Sequence, residues 1–205
     1  MDADFLDVGA ADMLRHVSEA DGSARGALRV AGNLPYNVAS PILFHLLSLY
    51  RAGVPLHDAT LMLQREVADR LLAPPGTRDY GVLAVLIRHE ADVARLLSLP
   101  PGAFRPMPRV HSAVVRLRYR APNPPAGNRA MFSALTRAVF SRRRKTLANA
   151  LLAFPPAVGI GPPALLASAG IDGRRRPETL DIPELVHLAD VAAAIGADHD
   201  RGNRS

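Results

Sequence analysis

The sequence predicts an α/β domain that is followed by a small all-helical domain. Short apolar strands alternate with helices through the first 120 residues, which is typical of an open α/β sheet. The segment 121–128, APNPPAGN, reads as a linker, and only helices are predicted beyond it. We therefore expect a sheet domain at 1–120, a helical domain at 129–196 and a frayed polar tail at 197–205.

The strands are predicted from short apolar or alternating runs bounded by turn residues. The run Asp2–Val8 resembles the end of a strand that leads into a loop. Tyr80–His89 is largely apolar, so its pattern fits a helix or a strand. Four further strands are predicted: Leu28–Ala31, Ala59–Leu63, Val93–Leu99 and Ser112–Tyr119.

The helices are predicted from apolar periodicity and from their start and stop signals. Ser40 and Pro41 are expected to begin a buried helix, with the Ser side chain as its cap. Pro74 and Pro75 are expected to end the helix that is predicted at Arg65–Leu72. The other predicted helices are Ala11–Val17, Arg65–Leu72, Ala130–Phe140, Lys145–Leu152, Pro163–Ala169 and Glu184–Ala194.

Composition narrows the class of protein. The formal net charge is +6, and the basic residues are almost all Arg, since Lys145 is the only Lys. Arginine suits phosphate recognition, although an arginine-rich genome composition would produce the same excess. The chain has no Cys, and its seven His residues show no metal-ligand spacing, so we expect no metal. The first residues lack a signal-peptide pattern and no run is long enough for a membrane span, so we expect a cytoplasmic monomer.

The loop Asn33-Leu34-Pro35-Tyr36 follows the first predicted strand, where open α/β sheets place their ligands. An exocyclic purine amine is a poor nucleophile because its lone pair is delocalised into the ring. An Asn oxygen and a backbone carbonyl that accept from this amine would favour a pyramidal nitrogen, and a Tyr would offer a stacking face. Pro35 would stiffen such a loop. A simple turn with a buried Tyr explains the same four residues.

Several segments together resemble the ribosomal RNA adenine N6-dimethyltransferases, which act on small-subunit rRNA near its 3′ end. The resemblance spans nearly the whole chain, with its motifs in the expected order. The matching segments are NLPYNVASPILFHLL (33–47), LMLQREVADRL (61–71), YGVLAVLIRHEADV (80–93), AFRPMPRVHSAVVRL (103–117), FSRRRKTLANALL (140–152) and AGIDGRRRPETLDIPELVHLAD (169–190).

The resemblance implies a Rossmann-like S-adenosylmethionine-dependent methyltransferase domain. It implies that Asn33 and the Leu34 carbonyl hold the target N6. Pro35, the next residue of the motif, joins them to Tyr36. Tyr36 would stack on the flipped-out adenine and Phe104 would cover its other face, since N6 is occupied by pairing inside a helix. These are the implied catalytic residues.

The resemblance also implies the methyl-donor and RNA contacts. Asp2 matches the acidic residue that accepts from the adenine amine of S-adenosylmethionine, with Ala3 beside it and Asn33 bordering the donor. Asp4 takes this role if the register is shifted. Contacts to rRNA phosphates are implied for Arg142, Arg143, Arg144 and Lys145, and a solvated helix start is the alternative for them.

One part of the family pattern is missing. The family opens with a QNFL-like stretch, a Gly-rich loop after the first strand and an acidic ribose-binding residue, and none of them occurs here. We therefore expect a fragment, or a mis-assigned start, that lacks on the order of 80 residues of βα units. Most of the donor side of the site is accordingly expected to be missing from these 205 residues.

Two other functions compete with rRNA adenine N6-dimethylation in ribosome biogenesis. A non-catalytic rRNA-binding or ribosome-assembly factor would keep the basic helical domain and lose the donor site. A DNA adenine methyltransferase is disfavoured, since those enzymes usually have Pro where Leu34 stands and lack the FRPMP and RRRKT segments.

Overall fold

The structure, a computed structural model, describes residues 4–21, 27–154 and 160–202. A short 3₁₀ turn at Phe5–Asp7 comes before the first helix. The strands are β1 (Leu28–Asn33), β2 (Leu56–Gln64), β3 (Ala91–Leu99) and β4 (Ser112–Tyr119). The helices are α1 (Ala10–Asp21), α2 (Ala39–Arg51), α3 (Arg65–Leu72), α4 (Val82–Arg88), α5 (Arg129–Ser141), α6 (Leu147–Ala150), α7 (Pro162–Ala169) and α8 (Ile182–Gly202).

The four strands form one mixed sheet in the order β1-β2-β4-β3. β1 pairs with β2 in parallel, whereas β4 pairs in an antiparallel manner with both β2 and β3. The parallel pair is joined through α2, the crossover that such a connection requires. Among the described residues, β1 has a neighbour on one side only, so it is an edge strand.

One face of the sheet is the core of the first unit. Cross-strand pairs on this face join Leu61 of β2 to Val115 of β4 and Leu63 to Ala113, and all four are at most 1% exposed. The apolar α2, which buries Leu43 and other leucines, and α3 pack against the sheet. Buried apolar residues alternate with less buried ones along Ala59–Leu63 of β2 and Ala113–Leu117 of β4, and this alternation produces the face.

Contacts divide the chain into two units, Met1–Leu72 with Glu90–Ala121 and Ala73–His89 with Pro122–Ser205. The second unit is helical, and it buries Phe132 and Leu135 of α5 and Leu185 and Leu188 of α8. The domain bounds 1–120 and 129–196 stay predictions. The contact grouping differs from them over residues 73–89, because α4 packs against α5.

The α/β class and the four predicted strands are confirmed, with small changes at their ends. Three local predictions differ from the structure. A strand end is expected at Asp2–Val8, and the described part of that run instead contains a 3₁₀ turn at Phe5–Asp7, where the Asp4 side chain accepts from the Leu6 N–H. Ser40 does not cap α2, because the turn before the helix begins it at Ala39 with Val38 at the cap. α8 continues through an Ala-rich segment to Gly202, beyond the point where a frayed tail was expected.

The apolar helices of the chain are core helices of ordinary length. Within residues 4–21, 27–154 and 160–202, no helix combines the length and the apolarity that a bilayer crossing needs.

A buried ion pair stabilises the first unit. Glu90 is fully buried, and its Oε1 lies 2.7 Å from Nη2 of Arg51. Replacing Arg51 by Met leaves a buried carboxylate without this partner, so we expect Arg51→Met to lower the free energy of unfolding by about 3 kcal/mol in urea titrations. Arg70→Met, which breaks an exposed pair with Glu66, is the matched control and should lose no more than about 0.5 kcal/mol. Equal small losses in both variants would show that Glu90 does not depend on Arg51.

The second unit has an acid-sensitive contact at the start of α8. Arg175 donates to both carboxylate oxygens of Glu184, and these bonds hold the Glu184 pKa below its ordinary value, although partial burial opposes them. A carboxyl whose pKa is lowered by folding stabilises the fold above its unfolded pKa and loses this contribution as the pH falls.

We therefore expect Glu184→Gln to destabilise the protein at neutral pH. The difference from the wild type should shrink as the pH falls below 4.5, the ordinary value for this carboxyl. Thermal unfolding followed by circular dichroism between pH 3 and 7 would check this. A difference that stays constant across that range would contradict the assigned role of the carboxylate.

Candidate functional site

The loop Asn33-Leu34-Pro35-Tyr36 is fixed at both ends by backbone hydrogen bonds. The Leu34 N–H donates to the Met62 carbonyl at 3.1 Å, which extends the pairing of β1 with β2 by one residue. The Val38 N–H donates to the Pro35 carbonyl at 3.2 Å, immediately before α2 begins. The loop is thus held between the end of a strand and the start of a helix.

Tyr36 and Phe104 line one cavity of about 330 Å³. Tyr36 is 43% exposed, so it is not the buried core Tyr that the simple-turn alternative requires. Three of the lining residues, Met62, Pro106 and Pro108, are not among the site residues predicted from the sequence. Met62 reaches the site through the pairing of β2 with β1. The cavity is lined by Asn33, Leu34, Pro35, Tyr36, Met62, Phe104, Pro106 and Pro108.

Two hydrogen-bond acceptors at this cavity have no donor among the described residues. The Asn33 side chain, at the exposed end of β1, makes no hydrogen bond within the described part of the chain. The Leu34 carbonyl likewise accepts none there, although the Leu34 N–H is engaged by Met62. An amide oxygen and a backbone carbonyl are therefore available beside two aromatic rings.

An apolar groove of about 430 Å³ also adjoins the loop. Leu34 and Pro35 line both the groove and the cavity, so the two spaces meet at the loop. Asp4 is the one charged residue of the described groove lining, and its side chain accepts from the Leu6 N–H at 3.0 Å. The groove is lined by Asp4, Phe5, Leu6, Val30, Ala31, Gly32, Leu34, Pro35, Val38, Ile42, Leu46 and Leu61.

The segment that carries Asp4 is anchored on α2 through His45. His45 Nε2 lies 3.0 Å from the Val8 carbonyl, and the rings of Phe5 and His45 meet edge to face at 5.2 Å. Asp2 and Ala3, the implied contacts to the methyl donor, lie outside the described residues. Asp4 is therefore the acidic residue that the structure places at the groove.

The basic segment after α5 lines a separate cavity of about 480 Å³ in the helical unit. Arg142, Arg144 and Lys145 are exposed there. Arg143 differs, since its guanidinium donates to the Arg78 carbonyl and lies 3.7 Å from a Glu178 carboxylate oxygen. Three of the four predicted phosphate ligands are thus exposed, and the fourth, Arg143, is half-buried and is engaged by Arg78 and Glu178.

The described residues hold no cluster of three or more His, Cys, Asp or Glu side chains that could bind a metal ion.

Comparison with known families gives one match that spans most of the chain. The family model described as "Ribosomal RNA adenine dimethylase" matches residues 1–161. Among curated relatives, "Ribosomal RNA small subunit methyltransferase A" of Pseudomonas fluorescens Pf-5 is 44% identical over 173 residues, which is 84% of this chain and 61% of the relative. The protein with the same description from Anaeromyxobacter sp. strain K is 43% identical over 189 residues, or 92% of this chain and 66% of the relative. The chain thus spans less than two thirds of the length of these relatives.

Two solved structures share the fold. A dimethyladenosine transferase from Plasmodium falciparum superposes with a TM-score of 0.64 at 24% identity and covers 78% of this chain and 64% of that one. The structure described as 23S rRNA methyltransferase ErmE has a TM-score of 0.59 at 22% identity, with coverage of 94% and 71%. These similarities confirm a mixed α/β fold of the kind found in those transferases.

Substitutions at Arg143 and Arg144 should have different effects on the free energy of unfolding. Arg143→Met removes contacts to Arg78 and Glu178, so we expect a loss of about 1.5 kcal/mol in unfolding free energy. Arg144→Met changes an exposed side chain and should stay within about 0.5 kcal/mol of the wild type. Urea titrations of both variants would check this, and equal losses would contradict an internal role for Arg143.

Proposed function

Because the chain belongs to the ribosomal RNA adenine dimethylase family, we propose that it supplies the adenine-binding and RNA-binding parts of a small-subunit rRNA adenine N6-dimethyltransferase. The observation that carries this proposal is the pair of free acceptors, Asn33 and the Leu34 carbonyl, beside Tyr36 and Phe104. The substrate would be an adenine near the 3′ end of the rRNA, in a precursor of the small ribosomal subunit.

The chemistry follows from the two acceptors. The flipped-out adenine would lie in the cavity between Tyr36 and Phe104, with its N6 hydrogens donated to Asn33 Oδ1 and the Leu34 carbonyl. These bonds draw the nitrogen lone pair out of conjugation and direct it across the loop. When the methyl donor S-adenosylmethionine is bound, N6 would form a bond to its methyl carbon while the bond from that carbon to the donor sulfur breaks. N6 would then release one proton to water. Neither acceptor is a base, so their role is to orient the nucleophile.

The groove fits part of the methyl donor, S-adenosylmethionine, which would supply an electrophilic methyl group on a sulfonium. Its apolar lining suits the adenine and thioether portions, and Asp4, the one charged residue of the described lining, would accept from the donor's adenine amine. Pro35 and Leu34 would separate donor from acceptor by the thickness of one loop.

The exposed cations of the helical unit would bind rRNA phosphates. Arg142, Arg144 and Lys145 stand together at one cavity, with no competing ion pair to a described residue. Such contacts position the RNA and carry no sequence information, so the choice of adenine would rest with the acceptor cavity.

A second function, a non-catalytic rRNA-binding factor, has one observation in its favour. The described groove lining has no cation for the carboxylate of the donor's methionine end. Calorimetric titration of the 205-residue chain with S-adenosylmethionine separates the two functions. RNA binding without donor binding would favour the binding factor.

We expect substitutions in the loop Asn33–Tyr36 to lower the rate of methyl transfer to small ribosomal subunits whose rRNA lacks the N6-methyl groups. Asn33→Ala removes one acceptor and should lower the rate by roughly 10²–10³-fold, the scale found for loss of one aligned polar group at a reacting centre. Tyr36→Ala removes a stacking face, which is worth roughly 1–3 kcal/mol of RNA affinity.

Tyr36→Phe keeps the ring and is the matched control, with activity near that of the wild type. Transfer of radiolabel from the methyl donor to the rRNA measures all three variants. An Asn33→Ala variant with unchanged activity would overturn the proposed mechanism. Activity on duplex DNA in place of the rRNA would overturn the substrate.

A further inference from the structure

The loop after β3 presents two different faces. Phe104, Pro106 and Pro108 line the acceptor cavity, whereas the residues between and after them do not. Met107 is 70% exposed, the largest exposed fraction of any large hydrophobic side chain among the described residues. An apolar side chain held in water at the rim of a polar site requires a reason.

Two cations flank this methionine. Arg105 and Arg109 are exposed, and neither guanidinium has an ion pair or a hydrogen bond with another described residue. Other arginines of the same unit are engaged, for example Arg95 with Asp69 and Arg120 with Asp92. The sequence Arg-Pro-Met-Pro-Arg thus offers one apolar tip between two available positive charges, on a loop that two prolines stiffen.

We propose that Met107 is a wedge that fills the stack vacated by the extruded adenine, while Arg105 and Arg109 hold the flanking phosphates. This inference rests on the proposed function, because it needs the cavity to receive a flipped base. Pro106 and Pro108 line the cavity and Met107 between them does not, so the prolines would face the base and Met107 the helix it left. Apolar side chains inserted between base steps are a known means of unstacking nucleic acid.

Met107 and the two arginines would have different effects on paired and unpaired RNA. A wedge acts only where a stacked base must be removed, so Met107 should matter for a paired adenine and be dispensable for an adenine that is already bulged. Phosphate contacts act on both RNAs equally. The two RNAs therefore distinguish a wedge from a general contact.

The test uses two RNA hairpins that carry 2-aminopurine next to the target adenine, which is paired in the first hairpin and bulged in the second. The fluorescence of 2-aminopurine rises when the adenine stacked on it is extruded, and the measurement needs no methyl donor. With the paired hairpin, we expect Met107→Ala to reduce the extruded fraction by about tenfold, as the loss of a wedge that offsets unstacking predicts. With the bulged hairpin, Met107→Ala should match the wild type.

Control variants separate packing from charge. Met107→Leu keeps an apolar tip and should restore extrusion, and Leu97→Ala, an exposed apolar side chain on β3, should change neither hairpin. The double variant Arg105→Gln, Arg109→Gln should weaken binding of both hairpins by similar factors.

Equal losses on both hairpins for Met107→Ala would overturn the wedge, as would no loss on either. If the wild type binds the bulged hairpin but does not extrude the paired base, the wedge fails and the proposed function stands. If the wild type binds neither hairpin, the proposed function fails as well.

Discussion

The hydrogen bond from the Leu34 N–H to the Met62 carbonyl is the contact on which the rest of the candidate site depends. It is the last backbone bond of the parallel pairing between β1 and β2, and it fixes the backbone where the strand becomes a loop. Asn33 and the Leu34 carbonyl are directed by this register, since a shift of one residue would turn Asn33 to the opposite face of the sheet. The orientation of the loop is therefore a property of the sheet and does not depend on loop flexibility.

The same loop gives the site two compartments. Its backbone and the side chains of Leu34 and Pro35 are shared by an apolar groove and by a more polar cavity with two aromatic rings. Leu34 and Pro35 thus stand where the two spaces meet, and residues of the same loop line each space. The basic segment after α5 is divided in a similar way, because Arg143 supports the fold and its neighbours face solvent.

Much of this architecture could be predicted from local sequence. The alternation on β2 and β4 identified both strands, and the family resemblance, which the match over residues 1–161 confirms, located the loop. The strand order β1-β2-β4-β3 could not be predicted, because pairing joins residues far apart in the chain. The internal contact of Arg143 was missed for the same reason, since Glu178 is remote in sequence. The run Phe5–Asp7 was misassigned because its short apolar pattern fits a strand, whereas the decisive Asp4 cap is a three-dimensional contact.

The position of β1 at the edge of the sheet has a consequence for the dynamics of the site. An edge strand is held by one ladder of hydrogen bonds, so it opens at a lower free energy than β2 or β4, which are paired on both sides. The acceptor loop continues directly from this strand, and its local opening would precede the unfolding of the core. Amide hydrogen exchange at Val30 to Leu34 would then report the occupancy of the site, because a ligand that spans the loop would hold this edge strand closed.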